Sequence, residues 1–377
     1  MAETDRKAFK DWFDRNAAAQ LAAQFKRVDQ AFDEKRFVQL ACRKLQQLEF
    51  NARIGQFSNA MAQTLPAHYP AALAVIVESL PAAQTNCDDS ISDGWLQWPV
   101  GQFIADHGVD YLNESMAAMI ELTQRFSAEF AVRPFVEHHQ DAVFEQLLKL
   151  TRHKNPHVRR WCSEGTRTRL PWGRKLFGLI ENPAPVWKIL EKLKDDEELY
   201  VRRSVANSIN DLAKDHPQQV IRTCKSWSKT ATKERDWIIR HGLRTLIKDG
   251  RPGALAVIGF GPIRQLKTAL TVSPVKVEIG ESVQLSLDLV NESGKPQHLL
   301  IDYIVHYVRK NGVVNAKVFK WKTVLIEAKN SLVLEKRHPM KVTAVRALYA
   351  GVHRVDIQIN GECMASREFE LQPSTER

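Results

Sequence analysis

From about Ala17 to Gly250, apolar residues recur at spacings of three and four, with Gly, Pro and Asp-rich breaks between the runs. QLAAQFKRVDQAF, VFEQLLKLTRH and VWKILEKLKDD are examples. That period gathers the apolar side chains on one face of an α-helix and predicts a succession of amphipathic helices. After about Gly259 the texture changes. VKVEIG, SVQLSLDLV, LLIDYIVHYV, KVFKWKTVLI and HRVDIQING alternate or run in β-branched residues, bounded by Gly, Asn, Ser and Pro. Short strands at such spacing predict a small β-sandwich. The switch falls in GRPGALAVIGFGPIRQ, near residues 250–265. Two domains are therefore expected, a helical one over 1–258 and a strand-rich one over 266–377, and 377 residues suffice for two cores.

The helical part repeats. LTQRFSAEFAVRPF (122–135), HVRRWCSEGTRTRL (157–170), YVRRSVANSINDLA (200–213) and WIIRHGLRTLIKDG (237–250) align at offsets of 35, 43 and 37 residues. Such offsets are usual for paired-helix solenoid repeats. One column is always arginine: Arg125, Arg160, Arg203, Arg240. Four residues on it reads Glu129, Glu164, Asn207, Arg244, and four further Arg133, Thr168, Asp211, Lys248. Steps of four share a helical stripe, and stacked repeats set the stripes side by side on one face, a common binding surface. Arg–Glu pairs four apart often only tie helices together. Four arginines in register are harder to explain that way, because stacked like charges repel unless an anion joins them.

Charge sharpens this picture. The net formal charge is +10, unevenly spread. Residues 1–150 carry 14 basic and 20 acidic side chains, residues 151–250 carry 22 and 12, and residues 251–377 carry 18 and 12. The basic excess begins where HVRRWCSEGTRTRLPW encloses the single acid Glu164. A polyanion is the expected partner, with Arg125, Arg160, Arg203 and Arg240, and Arg169 and Arg244 beside them, as phosphate contacts. Trp161, Trp172, Trp187, Trp227 and Trp237 fall in the same third of the chain. Packing between repeats accounts for Trp161 and Trp227. Trp172 differs, since Pro171 disfavours helix at Leu170 and places Trp172 on a loop past the Glu164 helix, free to stack on a base or hold a cation.

The five cysteines are scattered and form no CxxC pair, which fits reduced thiols of a cytoplasmic protein and excludes the usual zinc frameworks. The opening residues mix acids and bases without an apolar leader. The longest apolar run, around Ala71 to Leu80, contains Glu78 and is too short to span a bilayer.

SAEFAVRPF, VRRWCSEGTRTRLPW, VRRSVANSINDLAKDHP and WIIRHGLRTLIKDG resemble the AlkC branch of the AlkC/AlkD DNA glycosylases over most of residues 1–255. The resemblance implies a HEAT-like repeat domain that removes alkylated bases from duplex DNA without metal or redox cofactor. The strand-rich tail resembles the immunoglobulin-like domain of one AlkC subgroup. It also implies Glu129, Glu164 and Asp211 as functional carboxylates with Trp172 beside them, and 3-methyladenine and 3-methylcytosine as lesions. The chain is expected to act as a monomer, away from membranes. One departure is Gly242, where alanine is expected; it should loosen the last helix slightly.

The chemistry suits these residue types. An N3-alkylated base is cationic and already a good leaving group, so no general acid is needed. Breaking its bond builds an oxocarbenium-like sugar, which a carboxylate stabilises while a water is positioned. Glu164 and Asp211 share those roles, Glu129 contacts the base or orients the other acids, and Trp172 favours the cation or shields the sugar. One alternative is a non-catalytic scaffold for nucleic acid or protein, against which three acids on a basic strip weigh. The other is a lysine-dependent lyase, disfavoured because no lysine stands near Glu164 or Asp211 in the columns. The strand-rich domain is expected to assist DNA binding. Its stretch RKNGVVNAKVFKWK, which includes Lys317 and Lys320, holds five bases and no acid, and Asn311–Gly312 predicts a hairpin turn that presents them on a loop.

Overall fold

The computed structural model describes residues 8–85, 87, 94–343 and 346–374. The mixed-charge residues 1–7 lie outside that set. The period-3.6 segments are helices: sixteen α-helices precede the first strand among the described residues. The helix Arg15–Val28 shows why they form. Asp14 caps it by accepting from the Ala17 amide, and Ala17, Ala18, Leu21, Ala22 and Phe25 make its buried face.

The chain folds as two compact units, one of Met1–His216 and Thr230–Gly242, the other of Pro217–Lys229 and Leu243–Arg377. The division departs from a break at 258–266, because the helices Pro217–Ser228, Arg244–Lys248 and Pro252–Val257 go with the strands. A small core of Leu255, Phe260 and Leu300, flanked by Ile247 and Ile258, holds the last helices of that unit to it. Gly250, at φ +68°, has the Gly361 backbone within 2.8 Å of where a Cβ would sit, so only glycine fits this approach.

In the first unit, the helix Leu199–Asp215 packs against both Pro156–Glu164 and Lys233–Gly242. Gly242 does not loosen the last of these. A Cβ there would stand 2.7 Å from Ile209 Cγ2, so the missing side chain permits close packing on the Leu199–Asp215 helix. Gly242→Ala is therefore expected to destabilise by about 1–3 kcal/mol, as overpacking does. Urea denaturation reads the effect directly, and a midpoint equal to or above wild type would rule this packing out.

Three of the four aligned segments are not continuous helices; in 157–170 the helix ends at Glu164. The helix Leu112–Thr123 stops before Arg125, and the next, Arg133–His138, begins only beyond Glu129. Pro134 occupies its first turn, where proline is tolerated, and so forbids a helix running through from 122. Arg240 and Arg244 lie on separate helices, which part after Gly242.

The second unit contains a sandwich of strands β1 Leu266–Ser273, β2 Lys276–Glu278, β3 Ser282–Asn291, β4 Gln297–Val308, β5 Val314–Ile326, β6 Ser331–Pro339, β7 Gly351–Ile359 and β8 Glu362–Gln372. One sheet runs β1-β3-β6, the other β2-β8-β7-β4-β5. Alternation sets the core: Val283, Leu285, Leu287 and Leu289 of β3 face Leu299, Ile301, Tyr303 and Val305 of β4, with Val355, Ile357 and Ile359 of β7. Asn311–Gly312 does turn the β4–β5 hairpin, with Gly312 at φ +77° and its amide donating to the Arg309 carbonyl. Lys317 and Lys320, however, lie within β5 rather than on the loop.

Candidate active site

Helix Pro156–Glu164 starts cleanly: Asn155 accepts from the His157 amide at 2.8 Å, and Pro156 sits in the first turn. It ends at Glu164, and the chain then turns away. Arg133 fixes that turn. Its buried guanidinium donates to the carbonyls of Gly165 (3.1 Å), Arg167 (2.8 Å) and Arg174 (2.9 Å). Burial draws its pKa down to about 10, still high enough to keep its charge at neutral pH. The same turn carries Trp172 at φ +64° with 72% of its surface exposed. A bulky residue adopts that backbone only where its surroundings impose it. Trp172 lies beside Phe9 (6.2 Å between ring centroids), Phe50 (6.5 Å) and Trp98 (6.5 Å), and Trp98 in turn stacks on Phe130 at 5.3 Å. Trp161 and Trp227 are buried, as packing residues should be.

The three acids meet through guanidinium groups. Glu129, on the loop after Leu112–Thr123, pairs with Arg160 at 2.7 Å and accepts from the Ser127 hydroxyl at 2.6 Å. Arg160 also lies 3.8 Å from Glu164 and covers the Tyr200 ring at 4.9 Å. Arg167 pairs with Glu164 at 2.6 Å and with Asp211 at 2.8 Å, and Lys214 approaches Asp211 at 3.2 Å. The result is an alternating line, Glu129–Arg160–Glu164–Arg167–Asp211–Lys214, whose Glu164 and Asp211 are buried. Burial pushes the Glu164 carboxyl up, but Arg160 and Arg167 outweigh it and hold the group below the usual carboxylate range. Both arginines are held more firmly protonated than a free guanidinium, burial notwithstanding.

This geometry changes the reading of several cations. Arg160 sits between carboxylates, and Arg169 makes a two-pronged pair with Asp215 at 2.8 and 2.6 Å. Arg125 pairs with Glu121 at 2.9 Å and donates to the Pro81 carbonyl, and Arg240 pairs with Asp236 at 2.7 Å. Arg203 and Arg244 are half-buried. For Arg125, Arg160 and Arg240 the expected repulsion within the arginine column is thus relieved by the protein's own acids. Sequence reasoning also misplaced lysine, since Lys214 touches Asp211. Arg167, one of the arginines that surround Glu164 in the sequence, is not among the expected site residues, although it stands only three residues beyond Glu164. Steps of four select Thr168 instead, because they assume a helix that has already ended. Among the described residues, no group of three His, Cys, Asp or Glu side chains could hold a metal ion. No helix of the described residues is long and apolar enough to cross a membrane.

A helical-repeat unit with clustered carboxylates and an exposed tryptophan, followed by an immunoglobulin-like sandwich, defines the class of protein. The family model described as the C-terminal Ig-like domain of the uncharacterised protein YhaZ matches residues 267–373. The uncharacterised protein YhaZ of Bacillus subtilis (strain 168) is 34% identical over 342 residues, which span 90% of this chain and 92% of that protein. The solved structure of the Pseudomonas fluorescens alkylpurine DNA glycosylase AlkC, bound to DNA containing an abasic site analog, matches with a TM-score of 0.87. That match is 34% identical and covers 97% of this chain and 100% of that one. The chain belongs to the AlkC-like family, in the group that carries the C-terminal immunoglobulin-like domain.

Proposed function

We propose that this protein is a monofunctional DNA glycosylase that hydrolyses the N-glycosidic bond of cationic alkylated bases, 3-methyladenine and 3-methylcytosine, in duplex DNA. The observation that carries the proposal is the line of guanidinium-held carboxylates, with Glu164 kept ionised despite burial. Its likeness to AlkC supports the reaction class. The cationic base departs without protonation, so the protein supplies negative charge near the sugar and a place for water. Glu164 and Asp211 share these roles. Glu129 faces the base or orients its neighbours, and Trp172 offers its π face to the cation.

Arg160 and Arg167 act inside the site: they fix the carboxylates and keep Glu164 charged, a task for bidentate guanidinium rather than ammonium. Arg125, Arg169, Arg203 and Arg240 in the first unit, and Arg244 in the second, are the proposed phosphate contacts. Lys317 and Lys320 on β5 supply basic charge in the second unit. The enzyme works as a monomer in the cytoplasm, on chromosomal DNA.

Selectivity tests the proposal. Duplexes bearing 3-methyladenine or 3-methylcytosine should lose the base, while hypoxanthine and uracil, neutral leaving groups, should stay attached. Equal release of neutral lesions would require a general acid that the proposal does not contain. Lys214, 3.2 Å from Asp211, gives a second reading, a lyase that forms a Schiff base with the sugar. Borohydride trapping decides between them: the glycosylase reading expects no covalent protein–DNA adduct, and a Lys214-dependent adduct would establish the lyase.

A further inference from the structure

The end of the sandwich at the β4–β5 hairpin holds a pocket of about 610 Å³, lined by Tyr307, Arg309, Lys310, Asn315, Lys317 and Arg346 among others. That is the size of a small-ligand site. Four of these side chains are cations, and none makes an ion pair with a carboxylate of a described residue. In the candidate active site the opposite holds, since Arg160, Arg167 and Arg169 all have acid partners. Unrelieved like charge around one cavity favours entry of an anion.

The pocket is also built rather than merely coated with charge. Arg346 lies over the Tyr307 ring at 4.7 Å and the Phe319 ring at 5.6 Å, and donates to the Tyr307 hydroxyl at 2.9 Å. Lys317 lies 5.4 Å above Phe319. Tyr307 is itself buried, its hydroxyl bonded to His338 Nε2 at 2.8 Å, and the other nitrogen of that ring meets the Tyr303 hydroxyl at 3.0 Å. Burial, first, and then the neighbouring cations draw His338 down to about 4, so the floor stays neutral at working pH. A guanidinium held over two rings loses little freedom on binding, unlike a solvated lysine.

We propose that this pocket binds a phosphate ester, with Arg346 as its anchored cation and Arg309, Lys310 and Lys317 around the rim. Two sources share that chemistry, the backbone of a nucleic acid and a free nucleotide. Only the first rests on the DNA reading above.

The full chain is used in both arms of the test. In one, affinity for undamaged duplex is measured against salt. Arg346→Gln should flatten the log–log slope by about one unit, the signature of one lost phosphate contact. Arg346→Lys should keep most of the slope, which separates lost charge from lost fold. Arg367→Gln, an exposed cation on β8 outside the pocket, is the control and should leave the slope unchanged. In the other arm, pyrophosphate and thymidine monophosphate are titrated by calorimetry at low salt. A flattened slope specific to Arg346 identifies the nucleic-acid backbone as the source. Small-phosphate binding that Arg346→Gln abolishes identifies a nucleotide pocket, and holds whether or not the protein releases bases. No Arg346 dependence in either arm, or an equal effect of Arg367→Gln, overturns the site.

Discussion

Glu164→Gln and Asp211→Asn should each slow single-turnover base release by about 10²–10³, the usual effect of removing one well-placed electrostatic group. Affinity for duplex should stay near that of wild type, because neither acid faces a phosphate in the proposed arrangement. The amides preserve size and part of the hydrogen bonding: in Glu164→Gln the amide oxygen could still accept from Arg167, which bonds the native carboxylate at 2.6 Å. What disappears is one negative charge. Wild-type rates in both folded variants would remove these residues from the chemistry.

Arg167 should matter most for the integrity of the site. It joins Glu164 and Asp211 with contacts of 2.6 and 2.8 Å, and all three side chains are nearly inaccessible. Arg167→Ala leaves two buried carboxylates short of a counter-charge, and breaking such a pair typically costs about 3–5 kcal/mol. The pH dependence gives a readout that a packing defect would not. Glu164 has a depressed pKa in the folded state, so its contribution to stability is present above its unfolded value and lost as pH falls through the folded one. In wild type that loss lies below the ordinary glutamate value of about 4.3. In Arg167→Lys, which retains charge but not the forked contact, the loss should begin at higher pH. Identical acid unfolding profiles for wild type and Arg167→Lys would mean that the forked contact does not set Glu164's ionisation.

Local rules made the helix-to-strand change, the Asn311–Gly312 hairpin and the placement of Trp172 legible in the sequence, because period, turn chemistry and Pro171 act over a few residues. The columns also single out Glu129, Glu164 and Asp211, which the fold links in one line. They do so for a reason that is only partly right. Glu129 reaches that line from a loop, after a helix that ends at Thr123. A count in steps of four cannot see a helix end, so it passes over Arg167. Neither could it show that Arg160 turns inward to Glu129 and Glu164, since a guanidinium's direction is decided by long-range partners. The same limit hides Arg133, whose three carbonyl partners lie more than thirty residues away.

One pH–rate profile shows whether ionised carboxylates expel an already cationic base without a general acid. Release of 3-methyladenine from a defined duplex is followed under single-turnover conditions, with enzyme saturating, from pH 5 to pH 8. The base should be released and the rate should stay level, because Glu164 ionises below this range and the leaving group carries a fixed charge. Absence of release, or a rate that follows an ionisation inside the range, would mean that these carboxylates do not expel the base in this way.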